Sequence, residues 1–163
     1  MKPITRRTLA ASAAVAILHA HDDDGIPALD RSTMIHGAAE PFAVAGYRMG
    51  EAALSALGLS RSSEDLEVVH YSPRLRQFSS IVDGLQAATG ASLGQWNLAI
   101  VEIKAGLTAS VVRNKRTGRS VRLTLLASFV KEYGGLPAGA RAAAASRLTG
   151  IPQQQIFTLA RVG

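Results

Sequence analysis

His36-Gly37-Ala38-Ala39-Glu40-Pro41-Phe42-Ala43-Val44-Ala45-Gly46-Tyr47-Arg48-Met49-Gly50 is the stretch on which the fold turns. From Glu40 onward, Phe42, Val44, Ala45, Met49, Ala52, Ala53, Leu54 and Leu57 recur at helical spacing and form one apolar stripe. Pro41 suits a first helical turn, where no intrahelical N–H is needed, and Gly58 suits the position just past the last turn. The spacing therefore predicts a helix over 40–57. Ahead of it, residues 22–33 lack periodicity and contain Gly25 and Pro27, which reads as linker or loop.

Downstream the pattern alternates between periods. Leu66 to Tyr71 reads as a short strand ended by Pro73. Ser80 to Thr89 reads as a second helix with Ile81, Val82, Leu85 and Ala88 inward and Gly90 as its stop. Leu98–Ile103, Leu107–Arg113 and Ser120–Leu126 read as three strands, with turns at Ala105-Gly106 and at Asn114–Gly118, and suggest an antiparallel meander. Leu136–Leu148 is a last helix opened near Pro137, and Ile156–Val162 closes the chain as an edge strand. This order predicts one α+β domain over 34–163, with helices on one face of a mostly antiparallel sheet.

A chain of 163 residues, 47% hydrophobic and 18% charged, suits one globular domain with a real core. It has no cysteine, which excludes disulfides, thiol catalysis and iron–sulfur clusters, so any metal must be held by His, Asp, Glu or backbone oxygen. The net charge of +6 falls to +3 once Lys2, Arg6 and Arg7 are set aside. That is ordinary. Arg113, Lys115, Arg116, Arg119 and Arg122 cluster on the 114–118 hairpin without interleaved aromatics, so they fit a solvated turn or an anion patch, and no nucleic-acid partner is expected.

The first twenty residues have the layout of an export signal. Arg6-Arg7 precedes an alanine-rich apolar run from Leu9 to Leu18, too short to span a bilayer and similar to a twin-arginine leader. The expectation is a periplasmic or secreted protein that meets a membrane only during export, with an amphipathic helix of a cytoplasmic protein as the alternative. Residues 21–33 would then link leader and domain. His19, His21, Asp22, Asp23 and Asp24 read as solvated linker, or as a tract able to bind a divalent ion.

The segment from His36 to Gly50, together with Ser80-Ile81-Val82-Asp83-Gly84-Leu85-Gln86-Ala87-Ala88-Thr89-Gly90 and Leu93-Gly94-Gln95-Trp96-Asn97-Leu98, resembles the FmdE family of formylmethanofuran dehydrogenase proteins. That family typically shows H-G-H-x-C-P-G-x-x-x-G-Y-R and then C-x-x-D-A-x-Q-x-x-T-G-C-T-F-G-K-G-N-L. Order and spacing agree, but Ala38 stands for the second histidine, and Glu40, Ser80 and Ala91 stand for the cysteines. The resemblance implies the family's α+β fold, often dimeric, and an accessory role beside an oxidoreductase, as a homodimer or with a related partner chain. It also implies a metal site near His36 and Glu40. Without thiolates, an imidazole with carboxylates suits one zinc, iron or manganese ion, and the same groups could act as acid and base in an enzyme.

Around that site, Tyr47 and Arg48 are candidates to hold an anionic ligand, since a guanidinium pairs well with carboxylate or phosphate. Asp83, Trp96 and Asn97 complete the candidate ligand set. Each also has a purely structural use. Asp83 three residues after Ser80 resembles a helix cap, Asn97 can bond a loop, and Gly46 permits close helix packing. Methanofuran chemistry itself is not implied by what remains.

Overall fold

The computed structural model describes residues 26–104 and 108–162. The leader, the His19–Asp24 tract and the expected Ala105-Gly106 turn lie outside them. The stripe that begins at Phe42 forms helix α2, Pro41–Leu57, with Pro41 in its first turn. Gly58 ends it in the left-handed conformation, at φ 63°. Strand β1 (Leu66–Ser72) follows, then helix α3 (Arg76–Thr89), which Gly90 closes at φ 72°. Strands β2 (Leu98–Glu102), β3 (Ala109–Asn114) and β4 (Ser120–Leu125) come next, then helices α4 (Ala127–Tyr133) and α5 (Ala138–Leu148) and strand β5 (Phe157–Val162).

The strands form one sheet in the order β2-β1-β3-β4-β5. The α+β expectation, with a mostly antiparallel sheet and β5 at an edge, is met. The meander is not: β1 lies between β2 and β3, and β1 pairs with β2 in parallel. The cause is α3. A helix between two strands carries the chain back along the sheet, so the second strand enters beside the first and points the same way.

Burial alternates along β1, with Leu66, Val68, His70 and Ser72 covered. Val112 and Ser110 in β3, Val121, Leu123 and Leu125 in β4 and Phe157 in β5 continue that inner face. Leu54, Ile81, Leu85 and Leu148 pack above it. Phe42 is wedged edge-on between Phe78 and Phe129, with ring centroids 5.8 and 5.3 Å apart, which fixes α4 against α2 and α3. Helix α4, seven residues long, went unread in the sequence because it buries only Phe129 fully, with Val130 and Tyr133 partly covered against the core.

A second difference is helix α1, Ala28–His36, where the sequence read linker. Its buried face is polar. Arg31 and Ser32 are covered, the Ser32 hydroxyl donating to the Leu29 carbonyl at 3.0 Å and Arg31 hydrogen-bonding the Tyr47 hydroxyl. A hydrophobic period cannot report a helix that buries polar groups. Gly37, at φ 85°, closes α1 by donating its N–H to the Thr33 carbonyl.

Strand β2 is an edge. Its Ile100 is 50% and its Val101 40% exposed, one on each face. No helix among the described residues is long and apolar enough to cross a membrane.

Candidate functional site

His36 is the last residue of α1, so Gly37 turns the chain immediately after it and aims the imidazole at α3. Nδ1 lies 2.7 Å from Oδ2 of Asp83, with the His36 side chain 7% and the Asp83 side chain 38% exposed. An ionised carboxylate only accepts, so Nδ1–H donates to Asp83 and, with the ring neutral, Nε2 carries the free lone pair. Nε2 is buried and has no hydrogen-bond partner among the described residues. An oriented imidazole, one nitrogen on a carboxylate and the other unsatisfied, is the arrangement by which histidines present themselves to a metal or to a donor group of a ligand.

Asp83 does not belong to a helix cap. Helix α3 begins four residues before Ser80, and the Ser80 hydroxyl donates to the Arg76 carbonyl at 2.8 Å within the helix. Glu40 occupies the N-cap position of α2, with no side-chain capping bond. Its carboxylate instead accepts from Arg141 Nη1 of α5 at 2.9 Å. Glu40 and Ser80 meet at a small cavity of about 130 Å³, which Arg76 and Arg141 also line. The sequence-expected set is thus gathered at the α1–α2 junction against α3, but in two halves: His36 with Asp83, and Glu40 with Ser80 and Arg141. Among the described residues, no three His, Cys, Asp or Glu side chains converge as metal ligands.

Tyr47 and Arg48 line the larger cavity, about 630 Å³, between α1, α2 and the end of α3. Burial first, and Glu51 beside it, push the Tyr47 phenol above its ordinary pKa, so it stays protonated as a donor. Burial also lowers Arg48, opposed by Glu51. Arg48 Nη1 donates to the carbonyls of Leu148, at 2.8 Å, and Ile151. It therefore satisfies the C-terminal end of α5, a use invisible in sequence because the partners lie about a hundred residues away. Arg48→Met is expected to cost about 1.5–3 kcal/mol, since it strands carbonyls that a charged donor now satisfies. Thermal melting should show a drop of several degrees, and Arg48→Lys should recover part of it, because one ammonium nitrogen can donate to two carbonyls as Nη1 does. An unchanged melting temperature would exclude this role.

Asn97 is buried and serves its loop, accepting the Ser92 N–H at 2.9 Å and donating to Gln95 Oε1 at 3.2 Å. Trp96 is 95% exposed, at φ 57°, and lines neither cavity just described. On the basic hairpin, Arg116 pairs with Asp65 at 2.9 Å and Arg119 donates to the Ala56 carbonyl at 3.0 Å. The sequence did not single out His70, although the alternation Leu66, Val68, His70 already placed it on the inner face.

These features define an α+β domain with an oriented, buried histidine at a helix junction. The family model described as FmdE, Molybdenum formylmethanofuran dehydrogenase operon, matches residues 35–157, and the chain belongs to this family. No curated protein matches the chain.

Proposed function

We propose that this chain is an exported accessory member of the FmdE family that binds one metal ion or small ligand at His36, in a site whose thiolates have been replaced. The buried Nε2 of His36, unpartnered among the described residues, on a ring held by Asp83 through Nδ1, carries the reading. A zinc, iron or manganese ion would be held through Nε2, with its other positions left to water or to donors from a ligand or partner, and would supply Lewis acidity there. Glu40 does not fit as a second ligand while its carboxylate is paired with Arg141. An enzymatic alternative would use His36 with Asp83 rather than with Glu40. The accessory role is supported by β2, whose free edge and exposed Ile100 and Val101 suit a homodimer or a related partner chain.

The test is metal content by elemental analysis of the full chain, purified without a histidine tag after supply of zinc, iron, manganese and copper. A His19→Ala/His21→Ala background removes the leader imidazoles. In that background, near-stoichiometric metal is expected, lost in His36→Ala and weakened about 10–100-fold in Asp83→Asn, which removes the orienting carboxylate. Equal metal in the His36→Ala variant would sink the assignment of His36 as ligand. No metal in any variant would leave the small-ligand form, tested by whether His36→Ala changes the binding of ligands found by melting-temperature screening.

A further inference from the structure

The 630 Å³ cavity lies apart from His36, and its walls have their own chemistry. Among the described residues, three guanidiniums line it, from Arg31, Arg48 and Arg61, against one carboxylate, Glu51. Glu51 is exposed, whereas Arg31 is buried and Arg48 and Arg61 are half-covered. Arg48 and Arg61 are anchored on neutral groups: Arg48 donates to the Leu148 and Ile151 carbonyls, and Arg61 Nε to the Ala87 carbonyl at 3.3 Å. Carbonyls fix these guanidiniums in place without cancelling their charge, and positive charge withdrawn from water is stabilised by a counter-anion.

The rest of the wall suits an organic molecule. Ala52, Leu54 and Ala88 supply apolar surface, and Tyr47 adds a ring whose hydroxyl stays protonated and bonded to Arg31 and Glu51. The volume falls within the range of small-molecule sites, in which a mostly apolar surface carries a few fixed polar groups. We propose that this cavity binds a small organic oxyanion, its carboxylate or phosphate group held by Arg61 and its apolar body against Ala52 and Ala88. Arg48 contributes field rather than contact, because its Nη1 is committed to the end of α5. The inference is independent of the reading at His36.

The full chain would be titrated by calorimetry with inorganic phosphate, succinate and benzoate at constant ionic strength, with chloride as reference. Saturable binding of one anion per chain is expected for at least one oxyanion. Phosphate without the carboxylates would mark a phosphate-bearing occupant, and succinate or benzoate a carboxylate one. Arg61→Gln should weaken binding at least 10-fold. Ser55→Glu is the second variant: Ser55 is exposed on α2 and lines the cavity, so a carboxylate there should repel the anion without touching a guanidinium or the fold. Metal content at His36 should be the same in both variants. Binding no different from chloride, or binding that survives both Arg61→Gln and Ser55→Glu, would overturn the proposal.

Discussion

Gly46→Ala is expected to destabilise the protein by about 3 kcal/mol or more, enough to make it poorly soluble at ordinary growth temperatures. A Cβ at position 46 would sit 2.0 Å from the Ile81 carbonyl oxygen and 2.8 Å from its carbon. Gly84 presses back in the same way: its Cβ would lie 1.9 Å from the Ala43 oxygen and 2.5 Å from the Tyr47 nitrogen. All four are backbone atoms, so no rotamer change relieves the contact, and the two helices must move apart. Helix α2 also carries Phe42, Met49 and Leu54 into the core, so separation would open gaps beside several large side chains. Gly84→Ala should behave like Gly46→Ala. Gly139→Ala, in α5 where a Cβ meets nothing within 4 Å, should be neutral or slightly stabilising. Urea unfolding of the three variants checks this, and a Gly46→Ala protein as stable as the Gly139→Ala one would refute the close-contact argument.

Gly46, Tyr47 and Arg48 serve three neighbours of α2: Gly46 admits α3, Tyr47 meets Arg31 of α1, and Arg48 holds the end of α5. Sequence patterning reached the parts of the fold governed by local chemistry. Pro41, Gly58 and Gly90 announce helix ends through backbone geometry alone, and the alternation in β1 and β4 follows from one covered face. It failed where the deciding partner is distant. The α1 helix buries Arg31 and Ser32 in place of leucines, and the position of β1 inside the sheet depends on a crossover rather than on its own residues.

The candidate site divides along the same line. The resemblance pointed to His36, Glu40 and Asp83, and the fold does bring their elements together. Which of them pair was not legible, since Glu40 is claimed by Arg141 across 101 positions and His36 by Asp83 across 47. No local spacing encodes either choice. Trp96, which stands where the quoted family motif has a glycine, is solvent-facing, so its bulk fills neither cavity.

His70 is expected to make the protein acid-sensitive in a defined window. It is fully buried at the centre of the inner face, and burial lowers its pKa to about 4 despite the Phe78 carbonyl, which works the other way. That carbonyl, 3.2 Å from Nε2, can only accept, so Nε2 bears the proton and Nδ1 accepts from the Ser110 hydroxyl at 2.9 Å. Protonation would put a second N–H against Ser110, inside the core. The unfolded chain takes up that proton near the ordinary histidine value of about 6.5, whereas the folded chain waits until about 4. Between those values the unfolded state binds more protons, so stability falls as the pH falls. The contribution is fully present above pH ~6.5 and is lost progressively toward pH ~4, by about 3 kcal/mol for a shift of this size. His70→Gln keeps a donor and an acceptor but does not titrate. The stability difference between wild type and His70→Gln, from urea midpoints at pH 7.5, 6, 5 and 4.5, should therefore shrink steadily with acid. The carboxylates and His36 are common to both chains and cancel in that difference. A difference constant across the series would show that His70 does not sense pH in this window, and that acid unfolding belongs to other groups.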